Sequence, residues 1–247
     1  MAYTSDTTSF NPDLNEIFEE AFERCGRELR TGYDFRTIRR SLNFLITEWA
    51  NRGINLWTIE QGQISLVQGQ ATYDLPLDTV DLLEHVIRTF EGQYPNQTDL
   101  NITRISVSTY STIPNKLAQG RPIQVWINRQ SGQKVGSNLA TPLYPQINVW
   151  PTPDQGTEQE PYYIFYYWRM RRIQDAGNGI NVVDIPFRFQ NCLVAGLAYM
   201  MATKLDGISP DRIMLLKAQY DEAWDLAAGE DREKAADRLV PRQMFIV

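Results

Sequence analysis

The spacing of apolar residues changes twice along this chain, and this change constrains the fold more than any other feature. Up to Trp49 the apolar residues recur every three or four positions, which is typical of amphipathic helices. From Leu56 to Ile173 they occur in short alternating runs rich in β-branched and aromatic residues, which is typical of strands. Helical spacing returns from Ile185. The sequence therefore predicts an α+β protein.

The two helical segments are predicted to pack together, because each carries an apolar stripe that it cannot bury alone. This arrangement makes the β-region an insertion within a helical bundle. The predicted organisation has four parts: residues 11–55 as the first part of the helical domain, residues 56–184 as an antiparallel β-barrel or sandwich, residues 185–232 as the second part of the helical domain, and residues 233–247 as an extended C-terminal arm.

Capping signals give the predicted ends of the first two helices. Asn11 and Pro12 supply an N-cap and a first-turn proline for a helix that is expected to end near Gly32. Asp34 is the predicted N-cap of the second helix, and Gly53 stands where a left-handed C-cap is required. The later segment 79–90 fits a helix or a strand by its spacing, and we predict a strand for its second half.

Two tryptophans flank the first change of spacing. Trp49 ends the apolar stripe of the second helix, Trp57 begins the alternating region, and Gly53 lies between them. We predict that Trp49 closes the helical domain, that Trp57 enters the β-domain, and that this stretch determines the angle between the two domains.

The acidic balance of the chain argues against a protein that binds free duplex DNA. The chain has 24 Lys and Arg residues against 30 Asp and Glu, and a net charge of -6. Such a balance also suits a surface that DNA passes without binding, because like charges repel. Arg36, Arg39 and Arg40 form a basic patch near the start of the second helix. They are interpreted as solvated or paired with acids of a neighbouring helix, with a role towards nucleic acid as the alternative.

No sequence signature of an enzyme is present, so no catalytic, cofactor or metal site is predicted. His85 is the single histidine and lies in an apolar, strand-like context, which favours a structural role. Cys25 and Cys192 fall inside apolar helical patterns and are predicted to be buried. We also expect neither a signal peptide nor a membrane-spanning segment.

The densest feature is the aromatic run from Tyr162 to Trp168. Strand alternation would place Tyr162, Tyr166 and Trp168 on one face, and the aromatic residues between them on the other. Three interpretations stay open: a central strand that is covered on both faces, a subunit interface, or a platform on which sugars stack.

The chain ends in an apolar run after Pro241. Its members are Met244, Phe245, Ile246 and Val247. This end is interpreted either as a disordered terminus or as an arm that adds to a neighbouring chain.

The region around the two tryptophans resembles the start of tailed-phage head-to-tail adaptor proteins, and among them the tubular tail protein A group of short-tailed phages. In those proteins an acidic residue and a glycine after the second tryptophan form a turn, and Glu60 and Gly62 take these positions here. The resemblance extends, more weakly, through the segment 145–154 and the helix after Ile185. The motif is carried by Trp49, Gly53, Trp57, Glu60, Gly62, Tyr73, Leu75 and Pro76.

This resemblance implies a structural connector of the virion neck, made in the host cytoplasm, with no enzymatic activity and no membrane. Twelve copies would form a ring under the portal protein, with a tail nozzle or tail-tube protein below. Double-stranded DNA would pass through the lumen without specific binding, and Arg36, Arg39 and Arg40 would line the lumen or face a neighbour. The helical bundle and the C-terminal arm would meet the portal.

Two other functions remain open from the residues. The first is a glycan-binding or depolymerising tail protein that uses the aromatic strand. The second is an interaction module with unrelated partners.

Overall fold

The computed structural model describes residues 6, 10–30, 32–53, 56–93, 95–132, 142–177 and 181–231. Within these ranges the protein is α+β, as predicted, with five α-helices and two sheets. The helices are α1 (Leu14–Arg24), α2 (Gly32–Asn51), α3 (Val107–Ser111), α4 (Phe187–Ala202) and α5 (Pro210–Glu230). The strands are β1 (Ile59–Leu66), β2 (Thr72–Asp74), β3 (Thr79–Thr89), β4 (Thr98–Asn101), β5 (Thr103–Ile105), β6 (Gln124–Asn128), β7 (Gln146–Trp150) and β8 (Tyr163–Arg171).

The described residues divide into two compact units. One unit runs up to Trp57 and resumes at Ile173, and the other spans Thr58–Arg172. The sequence had assigned residues 173–184 to the β-domain, but they belong to the helical unit. Ile173 and Ala176 are buried in the helical core, and the Ala176 N–H donates to Asn43 Oδ1 at 3.2 Å. The last strand ends at Arg171, and the contacts with the helical core begin at Ile173.

The helical unit is organised around α4, which packs against α1, α2 and α5. The sequence of α4 is apolar on nearly every face, and most of its residues are buried. Gly196 lets its neighbours approach closely: a Cβ there would lie 2.9 Å from the Tyr220 ring and 3.0 Å from Leu45.

The first helix begins and ends elsewhere than predicted. Asp13, not Asn11, is its N-cap, because Asp13 and Glu16 form a reciprocal capping box. The helix stops at Arg24 rather than near Gly32. Gly26 follows it with a φ of +77°, a left-handed conformation that ends the helical path.

The second helix also begins earlier than expected. It starts at Gly32, so Asp34 lies in its first turn and acts on the positive helix end rather than as the cap. At the other end Gly53 has a φ of +78°, which confirms the left-handed position that the sequence indicated.

The second unit contains two four-stranded sheets, with the orders β1-β8-β3-β4 and β2-β7-β6-β5. One apolar cluster draws residues from both sheets, including Leu66 and Phe165 from the first, and Val125 and Ile147 from the second. Within the described residues neither sheet closes into a barrel, and β5 pairs with β6 in parallel. The prediction of a wholly antiparallel region was therefore wrong at this pair, which the spacing of apolar residues does not specify.

Gly62 lies in the middle of β1 and not in a turn, which corrects the interpretation of Glu60 and Gly62 as a turn. It stands opposite Tyr167 of β8 in the antiparallel register. A Cβ on Gly62 would lie 2.4 Å from Tyr167 Cζ. The glycine therefore makes room for a buried tyrosine ring that lies across it.

The segment that the spacing left undecided is strand β3, which confirms the preference for a strand at His85. The imidazole stacks on the Phe165 ring at a centroid distance of 5.8 Å. Both of its nitrogens are buried without a hydrogen-bond partner in suitable geometry. Burial lowers the pKa of His85 below its usual value, with the charge of Glu84 opposing part of this effect.

We expect Gly62→Ala to destabilise the two-sheet unit by ~1–3 kcal/mol, because the new methyl group overlaps the Tyr167 ring. Gly120→Ala is the matched control, since a Cβ there meets Pro151 at an ordinary 3.6 Å. Urea unfolding measures both variants. Equal midpoints for the two would contradict the steric role of Gly62.

We expect the stability of the protein to fall between pH 7 and pH 5 through His85. Because the folded pKa lies below the unfolded one, the unfolded chain binds the proton first as the pH falls below ~6.5. The loss continues until the folded pKa is reached, with a slope of at most ~1.4 kcal/mol per pH unit. Urea unfolding of wild type and His85→Leu at several pH values tests this. The same pH dependence in both proteins would exclude His85 as the cause.

Candidate assembly surfaces

An aromatic cluster in the helical unit surrounds Trp49. The Trp49 side chain is fully buried, and its Nε1–H donates to the Tyr220 hydroxyl oxygen at 2.9 Å. Its ring lies 5.6 Å from Phe189 and 5.5 Å from Trp224, measured between centroids. Trp49 thus joins α2 to both α4 and α5, and its one polar atom is satisfied.

Trp57 packs on the same cluster. Its ring centroid lies 5.0 Å from that of Phe189, and its Nε1–H donates to the Asp184 carbonyl oxygen at 3.2 Å. Trp57 therefore belongs to the helical unit, whereas the sequence had assigned it to the β-domain. Trp57 lies in this unit because its ring packs on Phe189, which also contacts Trp49. Whether Trp49, Gly53 and Trp57 determine the angle between the domains stays a prediction.

Arg52 covers the exposed side of this cluster. Its guanidinium lies 4.4 Å from the centroid of the Trp224 ring and also forms an ion pair with Glu48 one turn earlier. Burial raises the pKa of the Tyr220 hydroxyl to about 12. Tyr220 and Trp224 follow the apolar spacing of α5, but this spacing does not identify the residues that they contact.

The aromatic run in β8 divides between the two faces of its sheet. Tyr163, Phe165 and Tyr167 lie in the core that the two sheets share, as the alternation predicted. On the other face Tyr166 is buried as well, whereas Trp168 is 36% exposed. β8 is hydrogen-bonded to β1 on one side and β3 on the other. These observations favour the interpretation of β8 as a covered central strand.

Tyr166 is held by charged neighbours within its own unit. The Arg88 guanidinium lies 4.1 Å from the centroid of the Tyr166 ring, and the Tyr166 hydroxyl donates to Glu91. Arg88 also contacts both carboxylate oxygens of Asp99, at 2.7 and 2.9 Å. This contact lowers the pKa of Asp99. Among Tyr162, Tyr166 and Trp168, only Trp168 keeps a substantial exposed area for a partner or a sugar.

The arginine that follows the aromatic run is also committed to its own unit. Arg169 contacts Asp78 at 2.6 Å and Glu60 at 2.8 Å, and Arg171 reaches Glu60 at 2.6 Å. Partial burial alone would raise the pKa of Asp78, but the hydrogen bond and charge of Arg169 outweigh it, so that the pKa lies below its usual value. Glu60 thus works as an ion-pair partner of β8.

The three arginines of α2 do not form one patch. Arg39 is partly buried and donates to the Gly177 carbonyl oxygen at 3.1 Å. Arg36 and Arg40 are exposed, one helical turn apart. Two exposed aromatic residues extend the same helix face, with Tyr33 69% and Phe44 60% exposed. We call Tyr33, Arg36, Arg40 and Phe44 the α2 stripe.

A groove between α1 and α4 has the opposite chemistry. Its volume is ≈ 600 Å³, Ile17 and Val194 contribute to its apolar lining, and the acids of α1 contribute the charge. Phe10 and Phe187 are 81% and 80% exposed at this groove. We call it the α1–α4 groove, and its acids are Glu16, Glu19, Glu20 and Glu23.

The groove acids differ in how far they are neutralised. Glu20 pairs with Arg24 at 2.8 Å, and Glu16 belongs to the capping box of α1. Within the described ranges Glu19 and Glu23 form no ion pair, and both are exposed. These two side chains lie one turn apart, as Arg36 and Arg40 do on α2.

The remaining predicted site residues, Met244, Phe245, Ile246 and Val247, lie outside the described residues. In the part of the chain that the structure covers, no group of three or more His, Cys, Asp or Glu side chains could hold a metal ion. None of the helices described above combines the length and apolarity that crossing a membrane requires.

Comparison with models of known protein families gives a match over most of the chain. The family model described as SU10 adaptor protein matches residues 13–242, which include every helix and strand of the structure. No curated protein matches the chain.

We expect Tyr220→Phe to destabilise the helical unit by ~1–3 kcal/mol, because it leaves the buried Trp49 Nε1–H without an acceptor. Tyr199→Phe is the matched control: Tyr199 stacks on Tyr220, and its hydroxyl makes no hydrogen bond within the described residues. Urea unfolding followed by tryptophan fluorescence compares the two. An equal loss of stability in both variants would show that the hydrogen bond between Trp49 and Tyr220 does not stabilise the unit.

Proposed function

The chain belongs to the SU10 adaptor protein family, a family of structural phage proteins and not of enzymes, and on this basis we propose that it forms a ring in the virion neck that joins the portal to the tail. The observation that carries the proposal is the extent of the match. Residues 13–242 include both compact units, so the adaptor role applies to the whole chain and not to one of its units.

The finer assignment is to the tubular tail protein A group, with twelve copies in the ring. Its support is the order of motif residues from Trp49 to Pro76 and the helical and two-sheet units that they join. In this proposal the helical unit is a bundle that meets the portal protein. The two-sheet unit is a sandwich that faces a tail nozzle or tail-tube protein, and its shared apolar core supports this description.

The ring would surround double-stranded DNA without binding it specifically. The net charge of -6 supports a lumen that repels the phosphate backbone. The protein would be made in the host cytoplasm and carried in the neck of the virion.

The junction between the units is proposed to set the shape of the ring. Trp49 and Trp57 both pack on Phe189, and Thr58 begins the second unit directly after Trp57. Gly53 follows the end of α2 in a left-handed conformation.

The C-terminal arm, residues 233–247, is proposed to hold the portal through Met244, Phe245, Ile246 and Val247. An apolar segment that follows charged residues can insert into a groove of another chain. It adds contact area that the folded units do not have to supply.

We expect the purified protein to add a collar to isolated portal rings in negative-stain images. Deletion of residues 240–247 is expected to abolish this collar and to leave the urea midpoint unchanged, since these residues act on another chain. Gln243→Ala, a polar change inside the same segment, is the control and is expected to retain the collar. A collar of normal occupancy with the truncated chain would disprove the role of the arm. No collar with the full chain would disprove the adaptor ring.

A further inference from the structure

Two surfaces of the helical unit are complementary in charge and in apolar content. Within the described residues Arg36 donates only to the Gly32 carbonyl oxygen of its own helix, and Arg40, Glu19 and Glu23 form no ion pair. The α2 stripe presents two exposed cations between two exposed aromatic rings. The α1–α4 groove presents two unpaired carboxylates, Glu19 and Glu23, with the exposed rings of Phe10 and Phe187. Large exposed aromatic side chains with charged residues around them are typical of interaction sites.

We propose that the α2 stripe of one copy docks into the α1–α4 groove of the next copy and that this contact joins neighbouring subunits. Arg36 and Arg40 would pair with Glu19 and Glu23. This inference rests on the proposed function only in taking the chain to form a ring.

The helical geometry supports the pairing. Arg36 and Arg40 are four residues apart on α2, and Glu19 and Glu23 are four residues apart on α1. Each pair therefore spans about 6 Å along its helix axis. Because the two spacings match, two helices that lie side by side can make both ion pairs at once.

The apolar residues add the contact area that exposed ion pairs lack. An exposed ion pair contributes only ~0–1 kcal/mol, so charge alone would not hold two subunits together. Tyr33 and Phe44 flank the arginines, and Phe10 and Phe187 lie beside the acids. The aromatic rings thus supply the area that is buried between the two copies, and the ion pairs determine how the two helices align.

The two surfaces share no residue, so one copy can use both of them at once with two different neighbours. Such a contact is head-to-tail, and a pair of copies keeps one free stripe and one free groove. Such a contact closes into a ring where the rotation between copies permits it. A two-fold dimer would instead need the stripe and the groove of one copy to meet the groove and the stripe of the other at the same time.

Cross-linking between two singly labelled chains tests this contact without the portal. One chain carries Thr37→Cys between the two arginines, and the other carries Glu20→Cys between the two acids. The native Cys25 and Cys192 are buried, and burial raises the pKa of their thiols to about 11 and about 12, so they stay unreactive towards a short bismaleimide. A cross-linked dimer is expected in the mixture of the two chains and in neither chain alone.

Charge reversal then tests the pairing. Arg36→Glu with Arg40→Glu in the Thr37→Cys chain is expected to lower the yield about tenfold. Adding Glu19→Arg with Glu23→Arg to the Glu20→Cys chain is expected to restore it. Arg121→Glu with Lys217→Glu changes the net charge equally at exposed positions outside both surfaces and is expected to leave the yield unchanged.

Three other outcomes overturn the proposed contact, and a fourth supports it while disproving the proposed function. No cross-linked dimer in the mixture excludes this contact, even if collars still form on portal rings. An unchanged yield after the arginine reversal frees these arginines for another role, such as facing DNA. A yield that survives the charge reversals but is lost on deleting residues 240–247 shows that the C-terminal arm, and not the stripe and groove, holds the copies together. Cross-linking that persists while no collar forms on the portal supports the contact and disproves the proposed function.

Discussion

The burial of α4 is the constraint on which the helical unit depends. A helix that is apolar on nearly every face must be covered on nearly every face, because each exposed apolar side chain costs free energy. α1 and α2 lie before the β-region in the sequence, and α5 lies after it, yet all three pack on α4. The inserted unit therefore leaves and returns at points that the packing of α4 determines.

Close packing at α4 turns this general requirement into specific contacts. Gly196 brings the α4 backbone next to the Tyr220 ring and Leu45, so a side chain of any size there would separate the helices. That closeness in turn allows Trp49 to reach the Tyr220 hydroxyl. One small residue and one hydrogen bond thus keep α2, α4 and α5 in register.

The sequence predicted the four long helices, the inserted strands and the left-handed position of Gly53, because these depend on local spacing and backbone conformation. It did not predict the short helix α3. It did not predict the partners of Trp57, since Phe189 approaches it only when the chain returns 132 residues later. It also mistook Gly62 for a turn residue. The sequence alone does not distinguish a glycine in a strand from a glycine in a turn. The structure shows that Gly62 lies in a strand, opposite the Tyr167 ring. The parallel pairing of β5 with β6 was missed for the same reason, because spacing carries no strand direction.

The arginines show why a candidate site needs the structure as well as the sequence. Arg39, Arg88 and Arg169 each contact a carbonyl or carboxylate oxygen within their own unit, and their charge is used in folding. Arg36 and Arg40 face outward on α2, beside exposed aromatic rings, and Arg36 donates only to the Gly32 carbonyl oxygen of its own helix. The sequence grouped Arg39 with them because the three are neighbours along the chain. Helical geometry separates them, and only the outward pair has both the exposure and the spacing to meet the acids of another chain.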